Sequence, residues 1–205
     1  DSFADWPHHR ARGRCGDILW NAVCMKQQPT KVAVLFSGRG SNLKTLAEHM
    51  AQANVPAELT LALSNRPKAG GLDYCARQGI AHQAIDHKLF ESRESFDAEL
   101  DAALRAAKIE LVCCAGFMRL LSAGFVEAWR DRIINIHPSL LPKYKGLHTH
   151  ARAIEAGDSV HGCSVHYMRP EMDEGPVIVQ KQVPIMPEDT PDTLAERVLQ
   201  QEIGR

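Results

Sequence analysis

The chain has 205 residues, and 44% of them are hydrophobic, so it is large and apolar enough to fold around a packed core rather than remain disordered. The 24 Lys and Arg residues balance 25 Asp and Glu residues, and the formal net charge of −1 argues against binding nucleic acid mainly through bulk positive charge. No apolar stretch approaches the length of a membrane span.

The first 30 residues differ in pattern from the rest of the chain. Residues 1–30 show no sustained helix or strand period and no apolar core of a secretory signal, so we expect a leader that is disordered or non-native. We expect residues 31–205 to form a single domain. The six cysteines include no C-x-x-C pair, which, together with the missing signal, predicts a cytoplasmic protein with reduced thiols.

From residue 31 onward, short apolar runs alternate with amphipathic segments. The predicted strands cover residues 31–37, 57–65, 109–116, 132–137, 161–168 and 176–185. The predicted helices cover residues 41–53, 70–79, 92–108, 121–131, 149–157 and 190–204, with Ser41, Ser92 and Thr190 as N-caps. The alternation predicts an α/β fold, an open, mostly parallel twisted sheet with helices on both faces. The last two strands have no helix between them and are expected to extend the sheet in antiparallel fashion.

A glycine-rich loop, SGRGSN at 37–42, joins the first strand to the first helix. Backbone N–H groups at a helix start attract anions, and the side chains of Ser41 and Asn42 add donors, so the loop suits a phosphate monoester. It is not a dinucleotide fingerprint, because Leu43 replaces the third glycine, and the GK[ST] tail of a P-loop is missing. The alternative is a tight turn without a ligand.

The segment NIHP at 135–138 ends a predicted strand, so the side chains of Asn135 and His137 project to one side at the ligand-binding edge of the sheet. An amide and an imidazole together suit carbonyl chemistry, because both donate to a developing oxyanion and histidine also moves a proton. Asp173, in the loop between the last two strands, would pair with His137 and relay a proton through water. The alternatives are side chains that only shape turns or complete local hydrogen bonds.

Four further histidines gather in this half of the chain, at His148, His150, His161 and His166. They form no H-x-x-x-H or H-E-x-x-H helix pattern, and Cys163 stands alone among them. We therefore expect no metal site.

Five motifs appear in an order and spacing that resemble the glycinamide ribonucleotide formyltransferases, over about residues 31–202: FSGRGSNL near the start, AGFMRLLS at 115–122, NIHPSLLPKYKGLHTH at 135–150, HGCSVHYM at 161–168 and MDEGPVI at 172–178. The resemblance implies a Rossmann-like formyltransferase fold. It also implies transfer of a formyl group from 10-formyltetrahydrofolate to the amine of glycinamide ribonucleotide, in de novo purine biosynthesis. The implied partners are small molecules only, without nucleic acid, membrane or metal, and the implied state is a monomer or homodimer.

By this resemblance, Asn135, His137 and Asp173 are the catalytic trio. His137 and Asn135 would stabilise the tetrahedral oxyanion, and His137 with Asp173 would carry the amine proton to the departing folate nitrogen. The resemblance assigns the substrate phosphate to Gly40, Ser41 and Asn42, the ribose to Glu202, the folate to Phe117, Met118, Arg119, Leu120 and Leu121, the folate glutamate tail to Arg93, and a supporting role to His148.

The family usually continues beyond the position of Arg205 through an H-x-x-Y-P segment, so we expect a domain truncated at its C-terminus. Other formyl-transfer enzymes that use folate are the nearest alternatives. Methionyl-tRNA formyltransferases carry a second basic domain, and formyltetrahydrofolate deformylases carry an additional N-terminal domain. A catalytically silent nucleotide-binding module is an alternative of a different class, and convergence of the three polar side chains in one cleft would argue against it.

Overall fold

The structure, a computed structural model, describes residues 28–202. Its seven strands are β1 (Thr30–Phe36), β2 (Ala57–Ser64), β3 (His82–Ala84), β4 (Leu111–Cys114), β5 (Ile133–His137), β6 (Val160–Tyr167) and β7 (Val177–Pro184). They form one sheet in the order β3-β2-β1-β4-β5-β6-β7. The predictions for the leader up to residue 27, and for the chain after residue 202, lie outside the described residues.

The first five strands pair in parallel, whereas β6 pairs antiparallel with both β5 and β7. The predicted fold class and the antiparallel extension are therefore confirmed. The sequence prediction missed β3, which has only three residues. It also placed the β4 strand over residues 109–116, whereas regular pairing is confined to Leu111–Cys114.

Six α-helices accompany the sheet in the described part of the chain: α1 (Ser41–Met50), α2 (Gly70–Gln78), α3 (Arg93–Ala106), α4 (Ala123–Ala128), α5 (Thr149–Glu155) and α6 (Pro191–Glu202). A short 3₁₀ turn covers His87–Leu89. Ser92 caps α3 as predicted, and its hydroxyl accepts a hydrogen bond from the Ser95 amide. Within residues 28–202, no helix has the length and apolar character needed to cross a membrane.

Successive residues of β1 face opposite sides of the sheet and join two separate cores. Ala33 and Leu35 belong to a cluster that includes residues of α3 and α4. Val32, Val34 and Phe36 belong to a second cluster, which includes residues of α1 and α2. Both faces of the parallel sheet are therefore covered by helices, which explains why β1 consists of an almost unbroken apolar run.

The strand order changes direction beside β1. The chain moves outward from β1 through β2 to β3, then returns to place β4 on the other side of β1. In open α/β sheets, ligands bind outside the carboxyl ends of the strands at such a switch point. The glycine loop after β1 and the segment after β4 both begin there, so the topology places the two predicted ligand-binding segments side by side.

The adjacent glycines at the start of α2 allow a matched test of packing against β1. A methyl group at Gly71 would stand 2.9 Å from Phe36 Cδ2, whereas the nearest atom to one at Gly70 is Arg39 Cα at 3.7 Å. We expect Gly71→Ala to lower the free energy of unfolding by about 1–3 kcal/mol through overpacking. Gly70→Ala should leave it unchanged or raise it by up to about 1 kcal/mol. Urea denaturation of both variants measures the difference, and equal stabilities would contradict this packing.

Candidate active site

Two polar side chains of β5 lie at the carboxyl end of the sheet. Asn135 pairs with His166 of β6 in the antiparallel register, and His137 pairs with Ser164. Asn135 and His137 are two positions apart on one strand, so their side chains project from the same side of the sheet, as predicted. His137 is buried. The register of β6 therefore brings a third polar side chain, that of His166, next to Asn135.

Both ring nitrogens of His137 face oxygen acceptors. Its Nε2 donates to the Tyr144 carbonyl oxygen at 3.0 Å. Its Nδ1 lies 3.5 Å from Asp173 Oδ2. Because Nε2 carries the hydrogen of the bond to Tyr144, Nδ1 is the ring nitrogen that faces the carboxylate and can exchange a proton with it. The structure thus places the His137 ring beside the Asp173 carboxylate.

The carboxylate of Asp173 lies between two imidazoles. Its second oxygen, Oδ1, is 3.7 Å from His166 Nε2. Its Oδ2 also accepts a hydrogen bond from the Gly146 amide at 2.8 Å, and its side chain is only 11% exposed. Asp173 adopts a left-handed backbone conformation with φ of 56°. This backbone conformation and the Gly146 contact hold the carboxylate in place beside the two rings.

His166 orients the Asn135 amide. Its Nδ1 donates to the Tyr167 carbonyl oxygen at 3.0 Å, which leaves Nε2 to accept from Asn135 Nδ2 at 3.3 Å. Burial lowers the pKa of His166, and the lowered pKa favours the neutral ring that can accept this bond. With one amide hydrogen directed at His166, the other remains for a substrate oxygen.

The sequence prediction did not assign His166 to this group, because it considered the residue only as a metal ligand. The available signal was its position on the predicted strand 161–168, which follows the Asn135 strand after the predicted helix 149–157. That signal gives neither the antiparallel pairing of the two strands nor their register, which decides that His166, and not a neighbour, faces Asn135.

The glycine loop presents free backbone donors at the start of α1. Gly40, and not Ser41 as predicted, is the N-cap residue, with φ of 77° and no side-chain hydrogen bond to the helix. Glycine adopts this left-handed conformation without a steric penalty. The first helical bond is donated by the Lys44 amide to the Gly40 carbonyl, so the preceding amides of the helix start are free to bind an anion.

Asn42 and Glu202 meet although 160 positions separate them, since Asn42 Nδ2 donates to Glu202 Oε2 at 2.9 Å. Burial raises the pKa of Glu202, while the bond from Asn42 and the nearby His137 act in the opposite direction. Within the described part of the chain, the buried Asn42 Oδ1 has no hydrogen-bond partner. Glu202 also lines a cavity of about 200 Å³ together with Ile136, Cys163 and Val165. This cavity therefore combines apolar walls with the Glu202 carboxylate, which can accept hydrogen bonds from hydroxyl groups.

The segment after β4 carries the predicted folate residues. Met118 and Leu120 are 65% and 53% exposed, while Phe117 and Arg119 are half-buried. The Arg119 guanidinium lies over the Phe96 ring, 4.9 Å from its centroid. Leu121 is only 8% exposed and packs in the core, so its side chain attaches the segment to the core. The segment therefore offers an open apolar surface.

The structure does not bring every predicted site residue into contact with the trio. His148 is exposed, caps α5 in a left-handed conformation and, among the described residues, makes no hydrogen bond or ion pair with Asn135, His137 or Asp173. Arg93 is exposed at the start of α3. Their assigned roles stay predictions.

Two more histidines, His150 and His161, lie side by side in this half of the chain. The rings of His150 and His161 are 5.1 Å apart, and within residues 28–202 neither Nε2 atom has a hydrogen-bond partner. Burial lowers the pKa of His150, and it lowers the pKa of His161 to about 4. In the part of the chain that the structure describes, no group of three or more His, Cys, Asp or Glu side chains is arranged to hold a metal ion.

The buried His161 predicts that the protein loses stability in mild acid. Its folded-state pKa of about 4 is below the ordinary value of 6.5, so the unfolded chain binds more protons between these values. We expect the free energy of unfolding to fall by about 1–3 kcal/mol as the pH is lowered from 7 to 4. Urea denaturation across this range should show a smaller fall for His161→Asn. An equal fall in His161→Asn and in the surface control His49→Asn would contradict the assignment.

Comparison with known proteins gives consistent matches. A family model described as formyl transferase matches residues 30–204. The phosphoribosylglycinamide formyltransferase of Escherichia coli strain K12 is 43% identical over 171 residues, which cover 83% of this chain and 81% of that protein. The trifunctional purine biosynthetic protein adenosine-3 of Drosophila melanogaster is 48% identical over 176 residues. Those residues cover 85% of this chain but only 13% of that protein, so the chain spans a small part of its length.

Solved structures agree with the sequence matches. The crystal structure of phosphoribosylglycinamide formyltransferase from Brucella melitensis has a TM-score of 0.81 at 43% identity, and the match covers 85% of this chain and 90% of that one. The Coxiella burnetii enzyme, solved in complex with CHES, has a TM-score of 0.80 at 42% identity, with 85% and 82% covered. The chain therefore belongs to the formyl transferase family, which confirms the resemblance that the motifs indicated.

Proposed function

We propose that this chain transfers a formyl group from 10-formyltetrahydrofolate to the amine of glycinamide ribonucleotide, a step of de novo purine biosynthesis. The observation that carries the proposal is the linked set of Asn135, His166, Asp173 and His137 at the carboxyl end of the sheet. It combines an oriented amide donor with a carboxylate and a proton-carrying ring, which are the groups that acyl transfer to an amine requires.

The reaction forms one carbon–nitrogen bond and breaks another. The substrate amine attacks the formyl carbon, and the carbonyl electron pair moves onto oxygen. The free Asn135 N–H and the His137 ring stabilise this oxyanion. The tetrahedral intermediate then collapses, the carbon–N10 bond breaks, and the proton from the amine reaches N10 of the folate through His137 and Asp173.

The remaining polar groups would hold the two substrates on either side of this centre. The free amides after Gly40 suit the substrate phosphate, with Ser41 and Asn42 as further donors. The Glu202 carboxylate offers acceptors for ribose hydroxyls in the cavity that it lines. The exposed apolar segment with Met118 and Leu120 suits the flat ring system of a folate.

We also propose that residues 31–205 act as one formyltransferase domain. A single sheet and its loops carry the glycine loop, the proposed catalytic trio of Asn135, His137 and Asp173, and residues 117–121, here called the folate segment. The proposed location is the cytoplasm, where the buried thiols of Cys75, Cys113, Cys114 and Cys163 stay reduced. The proposed state is a monomer or homodimer.

A direct assay tests the reaction and its acceptor together. Cleavage of 10-formyltetrahydrofolate, followed by absorbance, should require glycinamide ribonucleotide. It should fall at least about 10²-fold in Asp173→Asn, because an amide in place of the carboxylate no longer accepts the proton. Cleavage without any acceptor would instead identify a deformylase. A well-folded chain that cleaves nothing would contradict the proposal.

The role of Asn135 predicts a particular split of kinetic constants. Asn135→Ala removes an oxyanion donor, which should lower kcat by about 10²–10³-fold with little change in either KM. Ser95→Ala, an exposed position at the start of α3, serves as a control that should leave kcat unchanged. Near-normal turnover of Asn135→Ala would remove Asn135 from the mechanism.

A further inference from the structure

Ser37 connects the two segments that are proposed to bind the two substrates. It follows the last residue of β1, begins the glycine loop, and is 3% exposed. It lies at the switch point of the sheet, beside the segment that follows β4. Neither the proposed phosphate residues nor the proposed folate residues include it, so its buried hydroxyl has no role in the mechanism described above.

The Ser37 hydroxyl uses both of its hydrogen-bonding functions. Its Oγ donates to Asn65 Oδ1 at 2.6 Å and accepts from the Met118 amide at 2.7 Å. The Ser37 amide in turn donates to the Gly116 carbonyl oxygen at 3.0 Å. Asn65 is itself held at its carbonyl oxygen, which accepts from His87 Nδ1 at 2.8 Å. Asn65, which accepts from the Ser37 hydroxyl, is thus held in place by His87. Ser37 in turn holds the Met118 amide.

The folate segment depends on this hydroxyl more than the glycine loop does. Of the residues that the structure describes, only Ser37 hydrogen-bonds the backbone between Gly116 and Ser122, through the Met118 amide. Ser122 is fixed separately by its amide, which donates to Asp97 Oδ2 at 2.6 Å. The middle of the segment, where the exposed apolar side chains lie, therefore has a single polar anchor.

The glycine loop has anchors of its own. The Gly71 amide donates to the Gly38 carbonyl at 3.2 Å, and the Lys44 amide donates to the Gly40 carbonyl at 2.9 Å. Both bonds are between backbone groups, and both survive removal of the Ser37 hydroxyl. Loss of that hydroxyl should therefore loosen one ligand-binding segment and leave the other in place.

We propose that Ser37 is a positioning residue that holds the folate segment in its binding conformation through the Met118 amide. This inference rests on the proposed function for the identity of the ligand, and it deepens that function by naming a residue that selects for folate binding without touching the reacting atoms. The hydroxyl acts before the ligand arrives, because a segment that is already ordered loses less conformational entropy on binding.

The test compares Ser37→Ala with Ser64→Ala. Ser64 is a matched control, because it is a buried serine at the carboxyl end of the neighbouring strand β2, and among the described residues its hydroxyl bonds only the backbone of Arg66. Ser37→Ala should raise the KM for 10-formyltetrahydrofolate and the Kd for tetrahydrofolate by about five- to tenfold. The kcat and the KM for glycinamide ribonucleotide should change by less than about twofold, and Ser64→Ala should leave all four constants near wild type.

A second readout does not depend on turnover. Hydrogen exchange of the Met118 amide, followed by NMR on the folded protein, should be faster in Ser37→Ala than in wild type or Ser64→Ala, because the amide loses its acceptor. Ser37→Thr retains the hydroxyl and should restore slow exchange and tight folate binding.

Three outcomes would overturn the proposal: unchanged Met118 exchange in Ser37→Ala, a folate KM no higher than that of Ser64→Ala, or an equal rise in both substrate KM values. Failure of the proposed function is a distinct result. In that case the wild-type chain transfers no formyl group, while Met118 exchange and tetrahydrofolate binding still report on Ser37.

Discussion

A nearly buried carboxylate shared by two imidazoles is the constraint on which the rest of the site depends. Asp173 lies within 4 Å of a ring nitrogen of both His137 and His166, in surroundings where an uncompensated charge is costly. The two rings differ in their contacts. His137 donates from Nε2 to the Tyr144 carbonyl and turns Nδ1 towards the carboxylate, whereas burial lowers the pKa of His166 and favours a neutral ring. One ring can therefore exchange a proton with the carboxylate, while the other orients Asn135.

This division of roles rests on the antiparallel addition to an otherwise parallel sheet. The connection from β5 contains the short helix α5, and β6 then pairs with β5 in the reverse direction. The β5–β6 register then places His166 opposite Asn135. The loop that leaves β6 carries Asp173 back over His137, and the Gly146 amide holds it there. The proposed catalytic groups thus come from regular strands and from one loop that the Gly146 amide holds, which limits their movement.

Local pattern was sufficient to predict much of this arrangement. Apolar runs and helix caps gave the order of elements, and the two-residue spacing of Asn135 and His137 placed both side chains at one edge of the sheet. Pairings between distant positions were not accessible in the same way. The contact of Asn42 with Glu202, and the choice of His166 as neighbour of Asn135, follow from register and from the packing of α6, which no local period encodes. The observed N-cap of α1 is Gly40 and not the predicted Ser41, because the loop enters the helix through a left-handed backbone conformation that favours glycine.

The proposed reaction centre is buried, whereas the proposed folate surface is exposed. The charged centre is enclosed, so its electrostatic interactions act at a lower effective dielectric and stabilise an oxyanion more strongly than water would. The folate segment, by contrast, leaves large apolar side chains in solvent, which a folded chain tolerates where a ligand later covers them. An exposed segment of this kind needs a rigid attachment if it is to bind without a large entropic cost. The switch point provides one, because Ser37, directly after β1, has a buried hydroxyl that accepts from the Met118 amide, so the residue that begins the glycine loop also anchors the proposed folate surface.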